Sequence, residues 1–288
     1  MPVLRPAILA SCLVLLLLCG CAGRTVTSGW SGSVLRTQDG EIISFASLMD
    51  ELREADVIYV GENHDNPDHH AMQLRVLQEL RRAGVDFVLG MEMFQVEDQE
   101  KLDRWRAGEL SDEELQKVFW ESWRMPWDMY AGIFHFARQQ RLRLVGINIP
   151  REVVKKVARS GFASLSPADR QAIPADVTCT IDPSYKAFVK RIYTTHTGNG
   201  FNFDFFCEAQ MLWTRSMARH LTDYLHNNPG SRMVVLTGAG HALKQGIPAY
   251  TQGLLPHQAA VIIPEVIELT RDNATAADTD YLMLSTVP

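Results

Sequence analysis

Val57-Ile58-Tyr59-Val60-Gly61-Glu62-Asn63-His64 sets the pattern from which the fold is read. Four consecutive apolar residues make a strand without a polar face, and such a strand persists only where both faces of its sheet are covered. Gly61 opens the turn that leaves the strand. The pattern returns in Phe87-Val88-Leu89-Gly90-Met91, which runs into Glu92, and in Arg143-Leu144-Val145-Gly146-Ile147, which runs into Asn148. Met233-Val234-Val235-Leu236 leads into Thr237-Gly238-Ala239-Gly240-His241, and Ala260-Val261-Ile262-Ile263 and Leu282-Met283-Leu284 are later strands. Helical patterns separate them. Asn66 before Pro67 is an N-cap with proline at the first helical position, and Met72, Val76, Leu77 and Leu80 form the stripe behind it. Ser111 and Glu114 form a capping box within a helical stretch over 96–140. The expected class is α/β, a mostly parallel sheet flanked by helices.

Residues 161–231 lack a strand signal, so this stretch is expected to be a helical subdomain inserted between strands. Ser166-Pro167-Ala168-Asp169 reads as one helix start, Asp182-Pro183 as another, and a long helix is expected from about Asn202 to His226. The domain as a whole is expected to occupy 34–288.

The N-terminus reads as a targeting segment. Arg5 precedes an apolar run from Ala7 to Leu18, too short for a comfortable span, which closes in Leu18-Cys19-Gly20-Cys21. This resembles a bacterial lipobox, which implies a lipoprotein signal peptide over 1–20, lipid such as palmitate on Cys21, and a membrane tether over 21–33. A plain secretory signal cleaved near Ala22 is the alternative. Ala22 resembles the residues that permit sorting to the outer membrane of a Gram-negative bacterium. Cys12 and Cys19 would leave with the signal, so Cys179 and Cys207 remain, either paired in an oxidising compartment or as buried thiols.

Composition narrows function by exclusion. Of 288 residues 46% are hydrophobic and 22% charged, ordinary for a globular chain and unlike a disordered one. A net charge of −6 argues against a nucleic-acid partner. No G-x-G-x-x-G, Walker loop, C-x-x-C pair or G-x-S-x-G elbow occurs.

The strand ends carry the chemistry instead. Carboxyl ends of parallel strands share one edge, where ligands bind. Glu62, His64, Glu92, Asn148 and His241 are therefore expected in one crevice, His64 and His241 each closing a Gly-x-x-His motif. As catalytic residues, Glu62, His64, Glu92 and His241 would either hold a divalent metal or pair a general-base histidine with an orienting carboxylate. Asn148 reads as a helix cap, Arg151 as a crevice or solvent residue, and His69 and His70 as a solvated pair.

These motifs, with Gly90-Met91-Glu92-Met93, Gly146-Ile147-Asn148-Ile149-Pro150-Arg151 and Ala209-Gln210-Met211-Leu212-Trp213, resemble the ChaN family of haem-binding lipoproteins from about Asp56 to about Leu243. That family belongs to a superfamily with the erythromycin esterases and the Tiki/TraB proteins, some of them hydrolases. Where the family commonly continues the Gln-x-x-Trp segment with Asp, this chain has Thr214. The resemblance implies haem held between two subunits as a cofacial pair ligated by tyrosine, hence a homodimer on haem binding and a place in iron uptake. For the cofactor the sequence offers Lys190-Arg191-Ile192-Tyr193-Thr194-Thr195-His196, then Phe201, Phe203, Phe205 and Phe206. Tyr193 would ligate haem iron, His196 steady the phenolate, and Lys190 and Arg191 meet the propionates. Tyr130 and Tyr185 compete for the ligand role. A haem-binding protein is the leading expectation, and an envelope hydrolase working through the strand-end residues is the second.

Overall fold

The computed structural model describes residues 30–171, 173–175, 177–196 and 202–285. The signal segment, Cys21 and Phe201 lie outside the described residues. The strands are β1 (Trp30–Arg36), β2 (Glu41–Ser44), β3 (Val57–Glu62), β4 (Val88–Gln95), β5 (Leu144–Asn148), β6 (Met233–Gly238), β7 (Ala259–Pro264) and β8 (Tyr281–Ser285). The helices are α1 (Phe45–Glu51), α2 (Pro67–Arg82), α3 (Gln99–Ala107), α4 (Asp112–Trp123), α5 (Ala131–Gln139), α6 (Arg151–Ser160), α7 (Pro183–His196), α8 (Phe203–Asn227), α9 (Ala239–Ala242) and α10 (Ile247–Leu254).

One eight-stranded sheet has the order β2-β1-β8-β7-β3-β6-β4-β5. Strands β3 to β8 run parallel, and β1 is antiparallel to both β8 and β2. The α/β class is therefore as the apolar runs indicate. Alternate residues of β3 serve two cores. Ile58 and Val60 pack with α2, α4 and α5 through Val76, Leu77, Phe119 and Phe134. Val57 and Tyr59 pack on the other face with α6 and α8 through Val154, Val157, Leu212 and Met217. At roughly 1.5–3 kcal/mol for each large side chain taken fully out of water, an uninterrupted apolar strand is what a two-sided sheet requires.

Two expectations change. The tether drawn over 21–33 extends too far, because β1 starts at Trp30 and pairs with the end of β8, Trp30 opposite Ser285. Ser166-Pro167-Ala168-Asp169 forms reciprocal cap bonds, Ser166 N to Asp169 Oδ2 at 3.0 Å and Asp169 N to Ser166 Oγ at 3.2 Å, yet the chain turns instead of continuing as a helix. Local cap chemistry does not supply the apolar stripe a helix needs to dock. Between β5 and β6 the described residues hold helices and no strand, with α8 packed beside the sheet on β5 and against α6 and α10. A disulfide joins Cys179 to Cys207, Cα atoms 5.5 Å apart.

Candidate functional site

The order β3-β6-β4 puts β6, which runs into His241 on α9, between the strands bearing Glu62 and Glu92. Their carboxyl ends form one crevice, as the sequence pattern requires. Two acid–imidazole groups fill it.

The first centres on Glu62, buried at the last position of β3. Its Oε1 accepts from the Tyr130 hydroxyl at 2.7 Å and from His64 Nδ1 at 2.8 Å. Its Oε2 lies 2.7 Å from His70 Nε2, close enough for an ion pair though off hydrogen-bond alignment. Burial works against the charge of Glu62, but bonds and charge from His64 and His70 outweigh it and bring the carboxyl down to about 2. Burial likewise opposes a charged His64, yet the bond to Glu62 and the charges of Glu92, Glu62 and Asp65 push it up to about 9. His64 is thus an imidazolium at neutral pH, its ring edge-on to Trp123 with centroids 4.7 Å apart.

The second group is Glu92 with His241. Glu92 Oε2 accepts from the Thr237 hydroxyl at 2.5 Å and from Gly238 N at 2.7 Å, while Oε1 stands 3.8 Å from His241 Nε2. His241 Nδ1 lies 2.8 Å from Thr214 Oγ1, which in turn lies 2.9 Å from the Gln210 carbonyl. With the hydroxyl proton assigned to that carbonyl, His241 donates from Nδ1 and leaves an acceptor at Nε2. Burial lowers its affinity for a second proton, Glu92 raises it and His64 lowers it, and the balance is downward. Gly238 joins the two groups: a Cβ there would come within 3.0 Å of both His64 Cε1 and Nε2. Any other residue here would require the His64 ring to shift.

A cavity of about 180 Å³ opens beside His64, walled by Trp123, Trp213, Met125 and Ile149, with Arg151 exposed at its edge. Asn148 is a strut rather than a helix cap: Nδ2 donates to the Glu92 carbonyl at 2.8 Å, and Oδ1 accepts from Ile149 N at 2.8 Å.

Several placements correct the sequence reading. His69 and His70 are not a solvated pair; both are buried. His69 Nδ1 accepts from Asn63 N at 2.9 Å, and burial drops its pKa to about 4. His70 belongs to the Glu62 group, a member that the sequence reading missed. The signal was present, since His70, Gln73, Leu77 and Leu80 share one face of α2. Tyr130 is fully buried and hydrogen-bonded to Glu62, and burial followed by the Glu62 charge drives its phenol pKa well up. Tyr185 is also buried and donates to the Gly240 carbonyl at 3.0 Å. Each phenol is thus shut away from solvent and bonded to a protein acceptor. A divalent metal finds no support, because among the described residues no three His, Cys, Asp or Glu side chains are grouped to hold one. The imidazoles and carboxylates bond one another instead.

The proposed haem residues lie on α7 and the start of α8. Tyr193 is half-buried, its ring 5.4 Å from Phe203 and 5.5 Å from Phe206. Lys186 and Lys190 set their ammonium groups 5.9 and 6.0 Å from the Phe203 ring centre. Arg191 turns elsewhere, donating to the Glu268 carbonyl at 3.2 Å. His196 ends α7, and its side chain lies outside the described residues.

Residues 48–251 match the family model described as haem-binding uptake, Tiki superfamily, ChaN, and the chain belongs to this family. The structure titled cofacial heme binding to ChaN of Campylobacter jejuni superposes with a TM-score of 0.69 at 21% identity, covering 88% of this chain and 96% of that one. An erythromycin esterase mutant in its open conformation gives a TM-score of 0.46 at 12% identity, over 82% and 76% of the two chains. Among curated proteins, RETICULATA-RELATED 5, chloroplastic, of Arabidopsis thaliana is 20% identical over 241 residues, 75% of this chain. The chain spans only 32% of that relative's length.

Proposed function

We propose that this chain is a haem-binding lipoprotein of the outer membrane that serves haem and iron acquisition, anchored through lipid on Cys21 and ligating haem iron through Tyr193. The match to a haem-binding uptake family over residues 48–251 carries the reading. The side chains on α7 and α8 fit the group. A phenol is a hard oxygen donor for ferric iron. The Phe203 and Phe206 rings beside Tyr193 offer apolar area for a porphyrin face, and Lys186 and Lys190 are cations for its carboxylates. The lipobox Leu18-Cys19-Gly20-Cys21 supports the anchor and Ala22 the outer membrane as its destination.

The test is a haemin titration of the full chain in detergent, read by absorbance, with intact mass reporting the lipid on Cys21. Wild type should bind saturably. Tyr193→Phe keeps the ring and removes the ligand oxygen, so it should weaken binding on the order of tenfold or more and change the spectrum. Tyr130→Phe and Tyr185→Phe should leave the spectrum as it is. Absence of saturable binding by wild type ends the haem reading; an unchanged Tyr193→Phe spectrum moves the ligand elsewhere.

A further inference from the structure

At the amino edge of the sheet, opposite the crevice, a groove of about 670 Å³ opens between the ends of α3 and α5. Four arginines line it. Arg106 and Arg138 come from the last turns of α3 and α5, Arg141 lies just beyond α5, and Arg143 directly precedes β5. Asp103 is the one carboxylate among the described residues that line it. We propose that this groove binds the phosphate groups of a small, hydrophilic phosphate ester, a phosphorylated sugar or polyol. The inference is independent of haem.

One arginine of the four is committed to the fold. Arg138 Nη1 donates to the Trp105 and Leu110 carbonyls at 3.3 and 3.1 Å and stands 3.2 Å from Asp112 Oδ1. The other three keep donors in reserve. Arg106 Nε donates to the Arg141 carbonyl at 3.0 Å, which leaves both its terminal nitrogens. Arg143 Nη2 donates to Asp103 Oδ2 at 2.8 Å, while its Nε is buried without a partner. Asp103 is saturated, since its other oxygen accepts from Gln99 Nε2 at 3.2 Å. Glu109, the next acid along, faces Arg104 at 3.9 Å. Among the described residues, Arg106 and Arg141 therefore pair with no carboxylate.

The backbone of Arg141 points the same way. Its φ of 51° is left-handed, in the turn where Leu142 N bonds the Ala137 carbonyl at 2.8 Å to end α5. Glycine suits that position without strain, so an arginine there holds an unpaired cation in the groove against local preference. Guanidinium forks match the tetrahedral oxygens of a phosphate and favour its double charge. The volume lies in the range of roughly 300–1,000 Å³ typical of small-molecule sites, with room for a sugar beside its phosphates. The walls add only Ala107 and Gly108 to the charged side chains, so a nucleobase finds no ring to stack on and an acyl chain no apolar bed. Charges are screened over about 8 Å at physiological salt, so in a chain of net charge −6 direct contact with these arginines must supply the attraction.

The probe is fructose 1,6-bisphosphate, titrated by calorimetry into the haem-free full chain in detergent at physiological salt, with fructose as the blank. Wild type should bind the bisphosphate saturably and give no heat with fructose. Arg106→Gln and Arg141→Gly should each weaken binding about tenfold or more, the loss expected with one charge-assisted hydrogen bond. Arg141→Gly also relieves the left-handed turn, so it should unfold at no lower urea than wild type, which separates lost binding from a lost fold. Arg53→Gln, at an exposed arginine paired with Asp50, should bind as wild type does. Glycerol 3-phosphate and dihexanoyl phosphatidate share a head group and separate a soluble from a lipid source. Phosphatidate binding no tighter than glycerol 3-phosphate supports the polyol ligand, and tighter binding overturns it. Absence of saturable binding by wild type overturns the proposal, as does unchanged affinity in either folded groove variant.

Discussion

At the scale of single residues, the crevice histidines make stability depend on pH in a definite sense. His64 is raised to about 9 in the folded protein from an ordinary 6.5, so its contribution is fully present below 6.5 and is lost as pH rises through 9. His69 is lowered to about 4, so between 6.5 and 4 the unfolded chain binds the extra proton and stability falls on acidification. His241 is shifted in the same downward direction and acts in the same sense. Glu62, lowered to about 2, contributes above its ordinary 4.5 and loses that contribution as pH falls through 2. Thermal midpoints should therefore peak near pH 6.5 and decline on both sides. His64→Gln keeps a polar side chain without the titration and should flatten the decline between pH 6.5 and 9. A decline of wild-type size in that variant would assign the alkaline limb to another group.

At the scale of elements, the disulfide governs the surface proposed for haem. Cys207 lies in the first turns of α8, next to Phe206 and one turn beyond Phe203, and Cys179 lies just before α7. The bridge thus fixes where α8 presents its two rings to Tyr193 on α7. Closing a 28-residue separation is worth roughly 3–4 kcal/mol in the chain-entropy account. A Cys179→Ser, Cys207→Ser double variant should unfold at lower urea and bind haemin several-fold more weakly while folded; unchanged haemin affinity would show that the bridge stabilises without positioning. The elements differ in how far the sequence reveals them. Strands β3 to β8 and helices α2 and α8 are legible because each carries a complete periodic signal. Strands β1 and β2 are not, since Glu41-Ile42-Ile43-Ser44 is a short edge with Ile42 exposed. The crevice was legible because strand direction alone gathers four carboxyl ends. Its second half was not: Tyr130 reaches Glu62 across 68 residues of sequence, and His70 hides in a helix stripe whose apolar members alone were read. The disulfide could not be chosen over two thiols, because pairing depends on a helix packing that spacing does not encode.

At the scale of the whole molecule, the surface proposed for haem and the crevice are the two sides of one helix. Outward, α7 carries Lys186, Lys190 and Tyr193; inward, Tyr185 bonds the Gly240 carbonyl, and a Cβ on Gly240 would come within 3.2 Å of Phe188 and 3.1 Å of Ile192. The chain also enters the sheet at the crevice edge, since Trp30 pairs with Ser285 at the end of β8. A porphyrin lying on α7 and α8 would contact protein with one face and expose the other to water. Covering that second face against a haem on another copy removes apolar area at roughly 25 cal/mol per Å², so haem binding and self-association are expected to be coupled. Light scattering on the full chain in detergent should then show mass rising toward twice the haem-free value as haemin approaches one per chain. Apparent haemin affinity should rise with protein concentration, which a monomeric site cannot produce. Zinc protoporphyrin, with the same apolar faces and a different metal, should drive association less strongly, because its weaker bond to a phenolate lowers occupancy of the site. Constant mass through a saturating haemin titration would leave each chain with its own haem and end the expectation of a homodimer.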